Sequence, residues 1–420
     1  MRRSRRNEAE RDKRTGVPVI GGDPGRVPVG VTLDNWQSSS QLHWTFQHVA
    51  DFLPTAVISR GGGPVAKLPV AGSVSAADLN DVATTRSDGM PTTVGDVMGT
   101  TATDGWAVAH RGTLLVEEYF GGMVPETSHL LMSVSKSLVA AVVGALRDSG
   151  AIDVDALLTA YVPVLANSGY AGATVRNLLD MRSGITFSEN YLDPLAEVRL
   201  LEEAIGWAPR VHPDVPSTMY DFLLTLPQKS IHGGAFEYRS CETDVLGWIC
   251  EAASGIRMPE LMSQLVWSKI GARHDATIGI DSTGAGMFDG GINATLTDLI
   301  RFGSLYLRDG VSLTGEQVFS AGWLADTVDG GFDSREAFAN SPDDLRMPGG
   351  MYRNQCWFPY EGNNVLLCLG IHGQMIYVNR SAGVVAAKLS SWPVPQDAQM
   401  LFSTIRAFDA VSAALNASTA

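Results

Sequence analysis

Ser133-Val134-Ser135-Lys136 opens an almost wholly apolar run, Ser137-Leu138-Val139-Ala140-Ala141-Val142-Val143-Gly144-Ala145-Leu146. Arg147 and then Gly150 close it, the ordinary signature of a helix C-terminus. A helix that is apolar on all sides is a buried central helix. A lysine inside such a helix is costly unless it has a task. Ser133 and Lys136 stand three residues apart, so they are neighbours on the helix surface and Ser133 Oγ can meet Lys136 Nζ. A serine hydroxyl needs an adjacent base to become a nucleophile. Burial is expected to lower the lysine's pKa far enough to leave a neutral amine in that role. Ser133 also falls at the helix N-terminus, where its own backbone N–H helps to hold a developing oxyanion. His129-Leu130-Leu131-Met132 reads as the lead into the first helical turn.

The rest of the chain suits an enzyme acting on a small molecule. It has 420 residues, 45% hydrophobic and 18% charged, enough for one large domain or two intimate ones. Its 31 basic against 45 acidic residues give a net charge of −14, which argues against nucleic acid or an anionic membrane as partner. No run of apolar residues is long enough to span a bilayer. The four cysteines (Cys241, Cys250, Cys356, Cys368) show no C-x-x-C spacing, and the eight histidines no H-E-x-x-H, so neither metal nor any other cofactor is expected. Few cysteines also fit a reducing cytoplasm. Arg2, Arg3, Arg5 and Arg6 begin a basic tail, expected to be disordered over 1–20, with no apolar segment after it to make an export signal.

Thr103–Phe120 reads as two strands joined by an Arg111-Gly112 turn. Asn364–Leu369, Met375–Val378 and Gly383–Leu389 read as three more, and Phe402–Leu415 as an amphipathic terminal helix. Between them lies a helical middle, including Val175–Met181, Thr218–Leu226, Thr243–Ala253 and Met258–Ile270. Strands near both ends with helices between predict one sheet built from distant segments, over 21–150 and 286–420, with a mostly helical domain inserted at 151–285. The cleft between such domains is the usual address of a small-molecule site.

Two further stretches belong to that cleft. Phe236-Glu237-Tyr238-Arg239-Ser240 follows Gly233-Gly234 and offers a phenol and a hydroxyl, Tyr238 and Ser240, from one loop. Leu369-Gly370-Ile371-His372-Gly373-Gln374 carries glycines that let a ligand approach the backbone closely, so a backbone N–H there can complete an oxyanion hole. His372 has no G-x-S-x-G serine to pair with and reads as a hydrogen-bonded strand histidine.

Leu131–Leu138, the Tyr-x-Ser and the Gly-Ile-His-Gly-Gln, in this order, resemble the serine β-lactamase and penicillin-binding superfamily. Its 6-aminohexanoate-dimer hydrolase branch is resembled more closely, also at Leu33–Trp36, Asn190–Pro194, Thr243–Leu246 and Lys388–Pro393. The resemblance implies a β-lactamase-like fold: an α/β domain with an antiparallel sheet flanked by helices, plus the helical domain, usually as a homodimer. It implies Ser133 as nucleophile, Lys136 as its base, Tyr238 as proton donor to the leaving amine, and the Ser133 and Ile371 N–H groups as the oxyanion hole. Tyr191 matches a tyrosine that binds the amide, and Trp207 a tryptophan on a loop closing the cleft. Glu202 matches an acidic residue for the substrate's free amine, and Asp289 a polar residue that tunes activity.

No cation leads the third motif, and the second is Tyr238-Arg239-Ser240 rather than Tyr-x-Asn. Both departures weaken a β-lactamase reading. The expected activity is hydrolysis of linear amides or esters through an acyl-enzyme. A carboxylesterase or β-lactamase-like hydrolase on the same site, or a non-catalytic sensor of the same fold, are the alternatives.

Overall fold

Arg111 and Gly112 both adopt positive φ, 50° and 83°. Two such residues in a row form the tight turn whose twist matches the strands it joins. They connect Thr103–His110 to Thr113–Tyr119 at the edge of an antiparallel seven-stranded sheet. From that edge the sheet runs inward through Val384–Ser390, Gln374–Asn379 and Val365–Gly370, then Cys356–Phe358 and Met351–Arg353. The computed structural model describes residues 10–11, 18–20, 26–71 and 76–417.

Strand periodicity sorts this sheet's side chains onto two dry faces. Ala107, Ala109, Val385, Ala387 and Leu389 enter one core, and Trp106, Val108, Val384 and Ala386 the other. Both faces are covered, which is why these strands read as continuous apolar runs. The terminal helix, Ala398–Ala417, and Val94–Thr100 cover the outer face. The inner face packs on Leu296–Gly303 and on the helix Val134–Asp148, whose residues 134–144 are all buried. That central helix also packs against Cys241–Ser254, so it is the shared wall between sheet and helical region.

A second sheet was not expected. Its strands are short and scattered: Glu10–Arg11, Pro18–Ile20, Thr55–Ile58, Ala276–Gly279, Ile292–Ala294 and His129–Leu130. His129–Leu130 is therefore a strand rather than a lead-in turn, and it holds the entrance to the Ser133 helix by pairing with Asn293–Ala294. Within 151–285 the structure is helical turns and loops apart from Ala276–Gly279 and isolated bridges. Of the basic tail 1–20, Glu10–Arg11 and Pro18–Ile20 are described, as paired edge strands, and the rest lies outside the described residues.

Candidate active site

Met132, with φ 47°, turns the chain sharply from the His129–Leu130 strand into the central helix. Ser133 is the N-cap, yet its side chain makes no capping bond. Its Oγ instead accepts a hydrogen bond from Lys136 Nζ at 2.8 Å. Lys136 is 1% exposed, and its other acceptors are Ser240 Oγ at 3.0 Å and Asp289 O at 2.8 Å. An ammonium has three protons to donate, and three acceptors surround it.

Tyr238 comes from the loop before Cys241–Ser254, and Nζ lies 5.1 Å from its ring centroid. Its hydroxyl is placed to accept hydrogen bonds from both Ser133 and Lys136 when ionised. The ring stacks on Trp357 at 5.4 Å and meets Tyr352 edge-on at 6.2 Å. Arg239 anchors the loop. Its buried guanidinium donates to Ser183 O at 2.6 Å, to Glu242 at 3.1 Å and to Glu237. The side chain between Tyr238 and Ser240 therefore turns inward, while its neighbours face the lysine.

The charge of Lys136 differs from the sequence expectation. Burial does push its pKa down, but Tyr238, Asp289 and Glu189 together outweigh it and hold the ammonium above the ordinary lysine range. Asp289 Oδ2 is 3.7 Å from Nζ. A neutral amine follows from burial only when no anion is buried with it. Tyr238 is raised by burial and by Glu189, against the pull of Lys136.

Ser133, Tyr238, Tyr191 and Ile371 all line one cavity of about 1070 Å³. Ile371 follows Gly370, where an added Cβ would lie 2.6 Å from Leu131 O and 3.1 Å from Ser133 N. Only a glycine lets the strand end come this close to the Ser133 amide. His372, in the turn Ile371–Gly373 rather than in a strand, bonds Trp392 O at 2.7 Å, and burial lowers its pKa to about 4.

Four expected substrate contacts lie off the cavity wall. Ser240 and Asp289 are buried behind Lys136 and address it rather than a ligand. Glu202 is captured by Arg199, one turn earlier, at 2.8 Å and by Gln37 at 2.9 Å. Trp207 is 1% exposed, packed edge-on against Trp36 at 5.5 Å, with its carbonyl accepting from Trp36 Nε1. It is core, not a loop tip.

Two wall residues escaped the sequence reading. Glu189 accepts hydrogen bonds from Tyr191 OH and from Ser240 N, tying Tyr191 to the Tyr238 loop. A carboxylate two residues before Tyr191 was the available signal. Trp357 carries none, because its role arises from a three-residue strand paired far from Tyr238 in sequence. Among the described residues no group of three or more His, Cys, Asp or Glu is arranged to hold a metal ion, and no helix is long and apolar enough to cross a membrane.

A serine and a tyrosine on one cavity wall, with a buried lysine against the serine and the Gly370 backbone brought close to the Ser133 amide, are the equipment of a serine acyl-transfer enzyme. The β-lactamase family model matches residues 92–409. The chain is 38% identical over 398 residues to the 6-aminohexanoate-dimer hydrolase of Paenarthrobacter ureafaciens, covering 92% of this chain and 97% of that protein. A solved structure from Bacillus anthracis, assigned as a 6-aminohexanoate-dimer hydrolase, superposes with a TM-score of 0.83 at 26% identity, over 93% of this chain and 98% of that one. A family VIII carboxylesterase shares the fold at TM-score 0.57 and 16% identity, over 76% of this chain and 96% of its own. The chain therefore belongs to the β-lactamase family of serine hydrolases.

Proposed function

We propose that this protein hydrolyses amide bonds in small linear substrates bearing a free amine, of the 6-aminohexanoate-oligomer type, through an acyl-enzyme on Ser133. The observation that carries this reading is the 2.8 Å contact between Lys136 Nζ and Ser133 Oγ at the floor of the cavity. Loss of one proton from the Lys136–Tyr238 pair supplies the base. The ammonium stabilises a phenolate beside it, so the proton of Ser133 passes to the pair as Oγ attacks the carbonyl. The N–H groups of Ser133 and Ile371 hold the tetrahedral oxyanion, each such donor contributing roughly 3–4 kcal/mol. Tyr238 then protonates the departing nitrogen, and water attacks the acyl-enzyme with the same groups in reverse.

The charge of the wall supports an amine-bearing substrate. Glu189, Glu197, Glu237, Asp343 and Asp397 line the cavity against Lys229 and Arg346. The 38% identical relative, named for 6-aminohexanoate dimer, supports the same class. Esters with good leaving groups need no proton from Tyr238, so short p-nitrophenyl esters are accepted as well.

Rates on 6-aminohexanoate dimer, p-nitrophenyl acetate and a chromogenic cephalosporin test the proposal. Turnover of the dimer and the ester, abolished in Ser133→Ala, is the expected result. Cephalosporin turnover without dimer hydrolysis would replace it with a β-lactamase reading, and ester turnover alone with a carboxylesterase.

A further inference from the structure

Behind Lys136, away from the cavity, two aspartates are buried together, Asp289 at 3% and Asp244 at 0% exposure. Asp289 N donates to Asp244 Oδ1 at 3.1 Å, and Asp289 Oδ2 faces Lys136 at 3.7 Å. Each carboxyl group keeps one buried oxygen, Asp244 Oδ2 and Asp289 Oδ1, without a hydrogen-bond partner among the described residues. An unpartnered carboxylate oxygen in dry protein is costly. The charges around Lys136 are also out of balance. Three carboxyl groups, Asp244, Asp289 and Glu189, act on one ammonium, while nearby Arg239 is engaged by Glu237 and Glu242. Carboxyl groups in contact do not all ionise; the proton count belongs to the pair.

We propose that Asp244 and Asp289 hold one proton between them and act as a single monoanion that fixes the charge of Lys136. A proton held on the pair removes one of the two unpartnered buried charges. It also leaves the pair with a single negative charge against the lysine's positive one. Burial and the charge of Asp289 push the Asp244 carboxyl well above its usual range, against Lys136, which marks Asp244 as the group that keeps the proton. The other titratable groups facing the pair are Tyr170 and Cys241 beside Asp244, and Tyr191 and Glu202 beside Asp289. None of them is a cation that would favour a second ionisation. Asp244 and Asp289 are thus positioning residues: they act through Lys136 and reach no substrate.

The effect on turnover rests on the Ser133 mechanism above, so the test has two readouts. The first is the pH profile of kcat/KM on p-nitrophenyl acetate. Asp244→Asn keeps the single negative charge and should move the acidic limb by less than about 0.5 pH unit. The double variant Asp244→Asn/Asp289→Asn removes the counter-charge, lowers the lysine's pKa and should move the limb down by about 1–2 units. A single variant that shifts the limb as far as the double, or a double that shifts nothing, overturns the proposal.

The second readout is the infrared C=O band of a protonated aspartic acid in ¹³C-aspartate-labelled wild-type protein at neutral pH. The band is expected, and should be lost in Asp244→Asn. It needs no turnover. Band present without ester hydrolysis would sink the Ser133 mechanism and leave the shared proton standing. Hydrolysis without the band would sink the shared proton alone.

Discussion

Lys136 and Lys388 are both wholly buried, on opposite faces of the large sheet, and their environments push them in opposite directions. Lys136 is surrounded by three acceptors and several acidic groups and stays above the ordinary lysine range. Lys388 lies on the outer face beside its pairing partner Trp106. It donates to Thr101 O at 3.1 Å and Ser390 Oγ at 2.5 Å and lies 5.4 Å from the Trp392 ring. No carboxylate forms an ion pair with it among the described residues. Burial then wins over the more remote Asp104 and lowers its pKa to about 7. Burial alone does not make a lysine a base. The anions buried with it decide.

Four variants bear on this contrast. Lys136→Met should have the largest effect, a fall of about a thousandfold or more in kcat/KM on p-nitrophenyl acetate with the circular dichroism spectrum retained. Lys388→Met, made in parallel, should stay within about threefold of wild type, because it touches no reacting group. Equal losses in the two would dissolve the comparison.

Next is Tyr238→Phe. General-acid help to an amine leaving group contributes about 10²–10⁴-fold, so amide hydrolysis should fall by at least tenfold more than ester hydrolysis. Equal losses on both substrates would remove Tyr238 from leaving-group protonation. Gly370→Ala comes third. The new Cβ would meet Leu131 O and crowd Ser133 N, displacing the Ile371 amide. A misplacement of this order costs about 10–100-fold, and it should appear in kcat with KM nearly unchanged.

The smallest effect is on stability. Lys388 has a folded pKa near 7 and an unfolded value of 10.5, so between these the unfolded chain binds the extra proton. Stability should therefore rise with pH across that window and be flat below it, by about 1.4 kcal/mol per unit at most. Lys388→Met should lack this slope in urea melts at pH 7, 8.5 and 10. Lys136 has the opposite sign: its contribution is fully present below 10.5 and constant through this range.

The contrast also shows what a single sequence discloses. The Thr103–Tyr119 hairpin, the three strands from Val365 to Ser390 and the central helix were legible because each is a long local run with one period. Ser133 and Lys136 were legible because one helical turn joins them. The second sheet was not, since it gathers pieces of two to four residues whose pairing is purely long-range. Nor was the charge of Lys136, which depends on Tyr238, Asp289 and Glu189, brought in from three separate segments. Glu202 and Trp207 aligned with a family's binding residues, yet Arg199 and Trp36 hold them inside. Matching positions do not transmit such partners.

The most direct test of the account is labelling with a fluorophosphonate probe, followed by peptide mapping by mass spectrometry. Wild type should carry one adduct, on Ser133, formed faster as pH rises and at least about a hundredfold more slowly in Lys136→Met. An adduct on another residue, or a labelling rate unchanged by the loss of Lys136, would contradict it.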